Sequence, residues 1–238
     1  AGERMVLVHG GSAEMDQVSA ALGRPPKVVT SVSGVQTRYT DRETAEIFTM
    51  VVAGRVNKGM VARLQALGVN AVGLSGLDGK LLEARRKAAI KVVEGGRVRL
   101  LRGDHSGIPV AANGALLRIL LAEGYVPVVC PPALGEEGLP LNIDGDRVAA
   151  FLAAALGAET LVILSNVPGL LRDPSDPATV VGHIPWEELE AYEPLAQGRM
   201  RRKLMGAREA LESGVMRVCL GDARRPRPIT GALAGEGT

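Results

Sequence analysis

Asn142, Asp144 and Asp146 stand on alternate residues ahead of an alanine- and leucine-rich stretch that reads as a helix to Leu156, with Gly157 as its stop. One residue suffices to cap a helix, so capping explains any one of the three and not the set. Gly10 and Gly11 follow the apolar run Met5 to Val8, where a strand can deliver backbone amides to an anion. Arg38 lies just before a helix start, placed to clamp a carboxylate through two parallel hydrogen bonds. The basic turn from Gly198 to Lys203 opens another helix. No Ser-His-Asp or Cys-His order stands out, and no metal-ligand spacing is present. Of the three scattered histidines, His9 reads as a packed strand-end residue rather than a base. Positive groups and glycine amides with little nucleophile chemistry suit phosphoryl transfer, where positioning and charge neutralisation dominate. In that chemistry Lys203 neutralises the transferring oxygens and Asp146 holds the lysine.

The elements that must position these groups alternate along the chain. Val126 to Val129 and Leu161 to Leu164 are short buried runs around the helix from Asp146 to Leu156, a βαβ pattern that predicts two parallel strands in one sheet. The polar triplet then sits at the carboxyl edge, where open α/β sheets bind ligands. Further strands are expected at Met5 to Val8, Ala71 to Leu74 and Val215 to Leu220. Helices are expected from Ala13 to Leu22, Asp41 to Ala53, Val56 to Leu67, up to Glu123, and from the GRMRRK turn to Leu211. Thr40 with Glu43 reads as a capping box. The fold class is α/β, with helices on both sides of a mainly parallel sheet.

Composition fits a soluble globular protein: 46% hydrophobic, 23% charged, net charge +2. No apolar run approaches the roughly 20 residues that span a bilayer, and no secretory pattern opens the chain. A cytoplasmic location without membrane or nucleic-acid partners is expected, with Cys130 and Cys219 as buried free thiols. Charge is nevertheless concentrated from Arg85 to Arg102, where Glu94 is the single acid. Gly95-Gly96 between two apolar-basic runs predicts a hairpin carrying Lys91, Arg97 and Arg99, with Arg102 beyond it. Protecting a sheet edge needs only one or two such charges, so a surface that steers an acidic partner is the better reading.

VHGGS, TRYTD, GLSGLDG, LNIDGD, LSNVPGLL, AQGRMRRK and the terminal GEGT, in that order along essentially the whole chain, resemble the amino acid kinase family and its acetylglutamate kinase branch. The resemblance implies a three-layer αβα sandwich in two lobes, residues 1–157 for substrate and carrier and 158–238 for nucleotide. It implies ATP, with Mg2+ held mainly by the nucleotide, and attack of a side-chain carboxylate on the γ-phosphate to give an acyl phosphate. Gly10 and Gly11 match the glycines whose amides face substrate and transferring phosphoryl, Arg38 the arginine on the substrate α-carboxylate, and Asn142 a substrate-binding asparagine. Asp146 matches the aspartate that orients two catalytic lysines, of which Lys203 is the second. Ser165, Asn166, Val167, Gly169, Leu170 and Asp222 fall where the nucleotide pocket is built. No protein ligand to a metal is implied.

TRYTD, SNVPGLL and AQGRMRRK are more similar to the lysine-pathway members of the branch, whose 2-aminoadipate is attached to a small acidic carrier protein. The resemblance then makes Lys91, Arg97, Arg99 and Arg102 the carrier surface. Carrier-linked glutamate is a second possible acceptor. An N-acetylglutamate kinase of arginine synthesis is the alternative, and it would have no need of the basic ribbon. A homodimer through the helices between Asp41 and Leu67 is also expected. One departure stands out: the family opens with a strand ending in Lys-x-Gly-Gly, which supplies the first catalytic lysine, and residues 1–4 do not provide it. That strand is expected to be missing, as a truncated sequence or an unusual gene start would leave it. A complete chain without it would be a protein that binds ATP or carrier without turnover.

Overall fold

Pro127 to Ala133 are all buried within the strand Val126–Leu134. Successive strand side chains point to opposite faces, so such a run needs cover on both sides. The computed structural model describes residues 4–32, 34 and 36–238, and Ser33 and Val35 of the 31–41 loop lie outside the described residues. The chain divides into two compact units, Ala1–Val148 and Ala149–Thr238.

In the first unit, β1 (Leu7–Val8) leads into α1 (Ser12–Ala21), and β2 (Val28–Thr30) with β3 (Gln36–Arg38) forms an antiparallel hairpin. A helical rod follows: α2 (Arg42–Thr49), a π-helical segment Met50–Val56, and α3 (Asn57–Ala66). Next come β4 (Ala71–Gly76), β5 (Leu82–Arg86), the hairpin of β6 (Ile90–Glu94) and β7 (Arg97–Leu101), and β8 (Gly107–Ala112). The unit closes with α4 (Gly114–Ala122), β9 (Val126–Leu134), β10 (Pro140–Leu141) and the start of α5 (Gly145–Leu156). β9 is the middle of a six-stranded sheet, with β1 and β4 parallel to it on its two edges. Past a bulge at Ser75/Gly76 it meets β5 and antiparallel β10. Met15, Ile47, Phe48, Val51 and Val52 pack with Cys130 of β9 as the core of one face.

The second unit pairs β11 (Thr160–Ser165) in parallel with β12 (Arg217–Asp222), in register from Thr160 opposite Arg217 to Ser165 opposite Asp222. Its helices are α6 (Leu189–Tyr192), α7 (Gly198–Glu212) and α8 (Pro228–Leu233). Ala150 and Ala153 of α5 join Leu161, Ile163, Ala210, Val215 and Leu220 in one core cluster. Leu170, Val181, Leu189, Ala196 and Leu204 form another.

The α/β class and the mainly parallel sheet are as expected, and three local expectations need correction. β9 and β11 do not share a ladder: both edges of β9 are taken by β1 and β4, and β11 pairs with β12. The expected break between two helices near Gly54 is instead a continuous rod, whose wide π turns carry the chain through without a loop. Thr40 is not the helix cap. Asp41 is, its carboxylate accepting from Thr44 N at 2.9 Å. The strands β5, β8 and β10 had no clear period in the sequence. Both cysteines are buried and free. Burial pushes the Cys130 thiol up to about 12, against the opposing charge of Lys58. At pH 8 only about one Cys130 in ten thousand is then a thiolate. Native protein should accordingly release far less than one thiol equivalent to Ellman's reagent at pH 8, and both thiols should react once the chain is unfolded.

Candidate functional site

In the first unit Gly10 and Gly11 follow the end of β1, Arg38 ends β3 and Asn142 follows β10. His9 N donates to Val129 O at 3.0 Å, which sets the chain at the carboxyl end of β1 before Gly10 and Gly11 open α1. A Cβ on Gly11 would meet Val52 Cγ2 at 3.0 Å, so the turn lies against the π segment. A Cβ on Gly145 would meet Gly10 Cα at 3.8 Å, so the start of α5 lies beside the same turn. Asp144 caps that start, accepting from Asp146 N at 3.0 Å, and Asp146 sits in the first helical turn.

Arg38 ends β3 with its side chain only 14% exposed and paired to Asp16. Its Nε is buried and without a partner among the described residues, a donor that suits a bound carboxylate. Thr40 is fully buried and acts as a junction. Its hydroxyl accepts from Asn142 Nδ2 at 3.1 Å and donates to Arg38 O at 3.4 Å, while its N–H donates to Asp104 Oδ1 at 2.9 Å. His105 N donates to Thr40 O at 2.6 Å, and Asn142 N donates to His105 O at 2.8 Å. Arg38 and Asn142, distant in sequence, are therefore set by one buried threonine. Burial first, and the nearby Arg86 cation second, hold the His105 imidazole below its ordinary value. Sequence reasoning missed Thr40 and Asp104. The capping-box pattern hid the first, and a buried acid within a loop gave no signal for the second.

The basic hairpin forms as expected, with Gly95 and Gly96 both at positive φ (57° and 75°). Its register divides the charges. Arg97 and Arg99 lie opposite Glu94 and buried Val92, whereas Lys91 lies opposite Leu100 and shares its face with exposed Val93, Val98 and Leu100. Arg99 pairs with Glu94 at 3.2 Å on an exposed surface, a contact worth at most about 1 kcal/mol. Arg102 follows β7, its carbonyl accepting from Tyr39 Oη at 2.8 Å.

In the second unit, Ser165, Asn166, Val167, Gly169 and Leu170 line a cavity of about 570 Å³ together with Lys203. Gln197, Arg199 and Met200, from the AQGRMRRK stretch in which the sequence gives a role to Lys203 alone, also line it, as does Leu195. Ser165 Oγ accepts from Val167 N at 3.2 Å, which curls the loop after β11. Thr238 Oγ1 accepts from Leu170 N at 2.8 Å, and Thr238 N and O pair with Leu220 of β12, so the chain's last residue braces that wall. Arg199 lies in the first turn of α7, where a phosphate oxygen would meet a cation beside the positive end of the helix. Asp222 lies beside Ser165 in the ladder but does not line this cavity. Hydrogen bonds from Arg224 hold its carboxylate down at about 2.

Residues 1–222 match the Amino acid kinase family. The [LysW]-aminoadipate kinase of Deinococcus radiodurans is 57% identical over 238 residues, which is 100% of this chain and 82% of that protein. The [LysW]-aminoadipate kinase of Thermus thermophilus is 54% identical over 239 residues, 100% of this chain and 89% of that protein. Among solved structures, N-acetylglutamate synthase from Neisseria gonorrhoeae, complexed with coenzyme A and N-acetyl-glutamate, is similar with a TM-score of 0.71 and 29% identity, over 93% of this chain and 47% of that one.

Replacing Thr40 by valine keeps the shape of the side chain and leaves the Asn142 amide without its acceptor. An unmade buried hydrogen bond costs about 1–3 kcal/mol. Steady-state kinetics should show KM for the carboxylate substrate rising about tenfold with KM for ATP unchanged, and Thr40→Ser should restore it.

Proposed function

Because the chain belongs to the amino acid kinase family, we propose that it phosphorylates the side-chain carboxylate of 2-aminoadipate carried on a small acidic protein of the LysW kind, with carrier-linked glutamate as a second acceptor. The observation that carries this reading is identity of 54–57% over the whole chain to proteins named [LysW]-aminoadipate kinase. The exposed basic hairpin supports it independently, because a free amino-acid acceptor gives no reason for Arg97, Arg99 and Arg102 to be there.

The acceptor's α-carboxyl group faces the Arg38 guanidinium, and Asn142, held by Thr40, fixes the rest of the backbone. A side-chain carboxylate oxygen then forms a bond to the γ-phosphorus, the bond from that phosphorus to the bridging oxygen of ADP breaks, and no proton need move. ATP, when bound, supplies the phosphoryl group, and the cavity of the second unit fits it: Arg199 and Lys203 meet its charge, and Leu170, Leu195 and Met200 offer apolar wall. Mg2+ would be held mainly by the nucleotide phosphates, as an oxygen-seeking ion suits; among the described residues no group of three or more His, Cys, Asp and Glu is placed to hold a metal. Lys203 neutralises the oxygens of the transferring group, and Asp146 is assigned the orienting role. No helix among the described residues is long and apolar enough to cross a membrane.

The carrier meets the hairpin on two kinds of surface. Arg97, Arg99 and Arg102 steer an acidic partner, and the Val93, Val98 and Leu100 face offers apolar contact beside Lys91. Joint charge reversal of Arg97, Arg99 and Arg102 to glutamate should raise KM for the carrier conjugate tenfold or more (roughly, from lost steering) and spare turnover of free N-acetylglutamate, if that occurs. Unchanged kinetics on the conjugate would remove the hairpin from the carrier surface. Turnover of free N-acetylglutamate alone would move the protein to arginine synthesis. Lys203→Ala should lower kcat by about 10²–10³, the usual loss for one transition-state charge partner, while nucleotide binding measured by calorimetry weakens much less.

A further inference from the structure

Asn57 is completely buried, yet its amide is fully used. Its Nδ2 donates to Val128 O at 2.9 Å, and Lys58 Nζ donates to its Oδ1 at 3.2 Å, which together settle which end of the amide is which. The other Nδ2 hydrogen meets His9 Nε2 at 3.0 Å. An amide nitrogen only donates, so Nε2 accepts and the ring proton sits on Nδ1. Nδ1 then donates to Gly10 O at 2.6 Å. Across a trans peptide, the carbonyl of one residue and the N–H of the next point in opposite directions. Holding the Gly10 carbonyl against the imidazole therefore turns the Gly11 N–H away from it. A Cβ on Gly10 would meet nothing within 4 Å, so the space by this peptide is open. Among the described residues, nothing accepts from the Gly11 N–H.

We propose that His9 is a positioning residue for phosphoryl transfer: set by Asn57, it turns the Gly11 amide toward the transferring phosphoryl group. The proposal rests on the kinase reading above. It gives His9 no proton to exchange, since the ring acts as a neutral donor through Nδ1. Burial keeps the imidazole below its ordinary value, outweighing the opposite pull of the Gly10 bond. The role separates from that of a packed histidine through its kinetic signature. An amide that meets the phosphoryl group mainly in the transition state shows its loss in kcat and not in KM.

The test compares wild type with His9→Ala, His9→Gln and His9→Asn on the intact protein, with ATP and the carrier conjugate as substrates. Asparagine places its amide nitrogen near the position of Nδ1, and glutamine does not. Alanine and glutamine should lower kcat by about ten- to a hundredfold, below the full loss for removing such a donor, with both KM values within about twofold of wild type. Asparagine should recover most of kcat. Equal losses in all three variants, a loss confined to KM, or no loss would overturn the proposal. A second readout reports on the wild-type ring itself: its ¹⁵N spectrum at neutral pH should show Nδ1 protonated and Nε2 bare, and the reverse tautomer would overturn the proposal. With only three histidines in the chain, the His9 signals can be assigned by their loss in one variant. Wild type inactive on every carboxylate acceptor would sink the kinase reading and the proposal with it. Active wild type with unrescued variants would sink the proposal alone.

Discussion

One buried amide ties together three of the first unit's parallel strands, β1, β4 and β9. Asn57 reaches Val128 O on β9 and His9 at the end of β1, and through Lys58 it reaches Gly73 O on β4 at 2.9 Å. Gly73 has no side chain because a Cβ there would run into the Asn57 carbonyl. A buried polar group of this kind is stabilising only when every donor and acceptor is met, and here each is. Strands that share such a node deliver their carboxyl ends to one place, which is where ligands meet parallel sheets.

On the proposed reading the work divides between the two units. On that reading acceptor recognition falls to residues on β3, in the loop before α5 and at the Gly10-Gly11 turn, each held by polar bonds within the first unit. The cavity proposed for the nucleotide is lined by the β11 loop and the start of α7, with Thr238 bracing its wall. In both units, charged side chains are placed by backbone ends rather than by long loops, which suits chemistry that depends on fixed positive charge.

Much of this was legible in the sequence where one local rule dominates. Gly95-Gly96 predicted the hairpin because both residues must adopt positive φ. Ser165 to Val167, Gly169, Leu170 and Lys203 stand out in the sequence as separate pieces, and they line one cavity. What could not be read depends on partners far along the chain. Thr40 and Asp41 are both good caps, and only the distant Asn142 decides that threonine serves the site while aspartate caps the helix. Strand order is equally non-local: β9 lies next to β1 and β4 because their apolar surfaces fit, whatever follows it in sequence. Asp222, which the resemblance groups with the nucleotide residues, does not line that cavity, and Arg224, two residues on, bonds its carboxylate.

The π-helical turns of Met50–Val56 set the phase of the rod. Phe48 packs into the core, and Asn57 must face the same sheet. At about 3.6 residues per turn, nine residues make two and a half turns, which would leave the two on opposite sides of an ordinary α-helix. Wider turns hold each residue back in rotation, and seven of them in series swing Asn57 round to the strands. The segment behaves as a gear between a hydrophobic face and a polar one. Insertion or deletion of a single residue there would turn the asparagine out of mesh, so the length of this stretch is held as tightly as its buried Val51 and Val52.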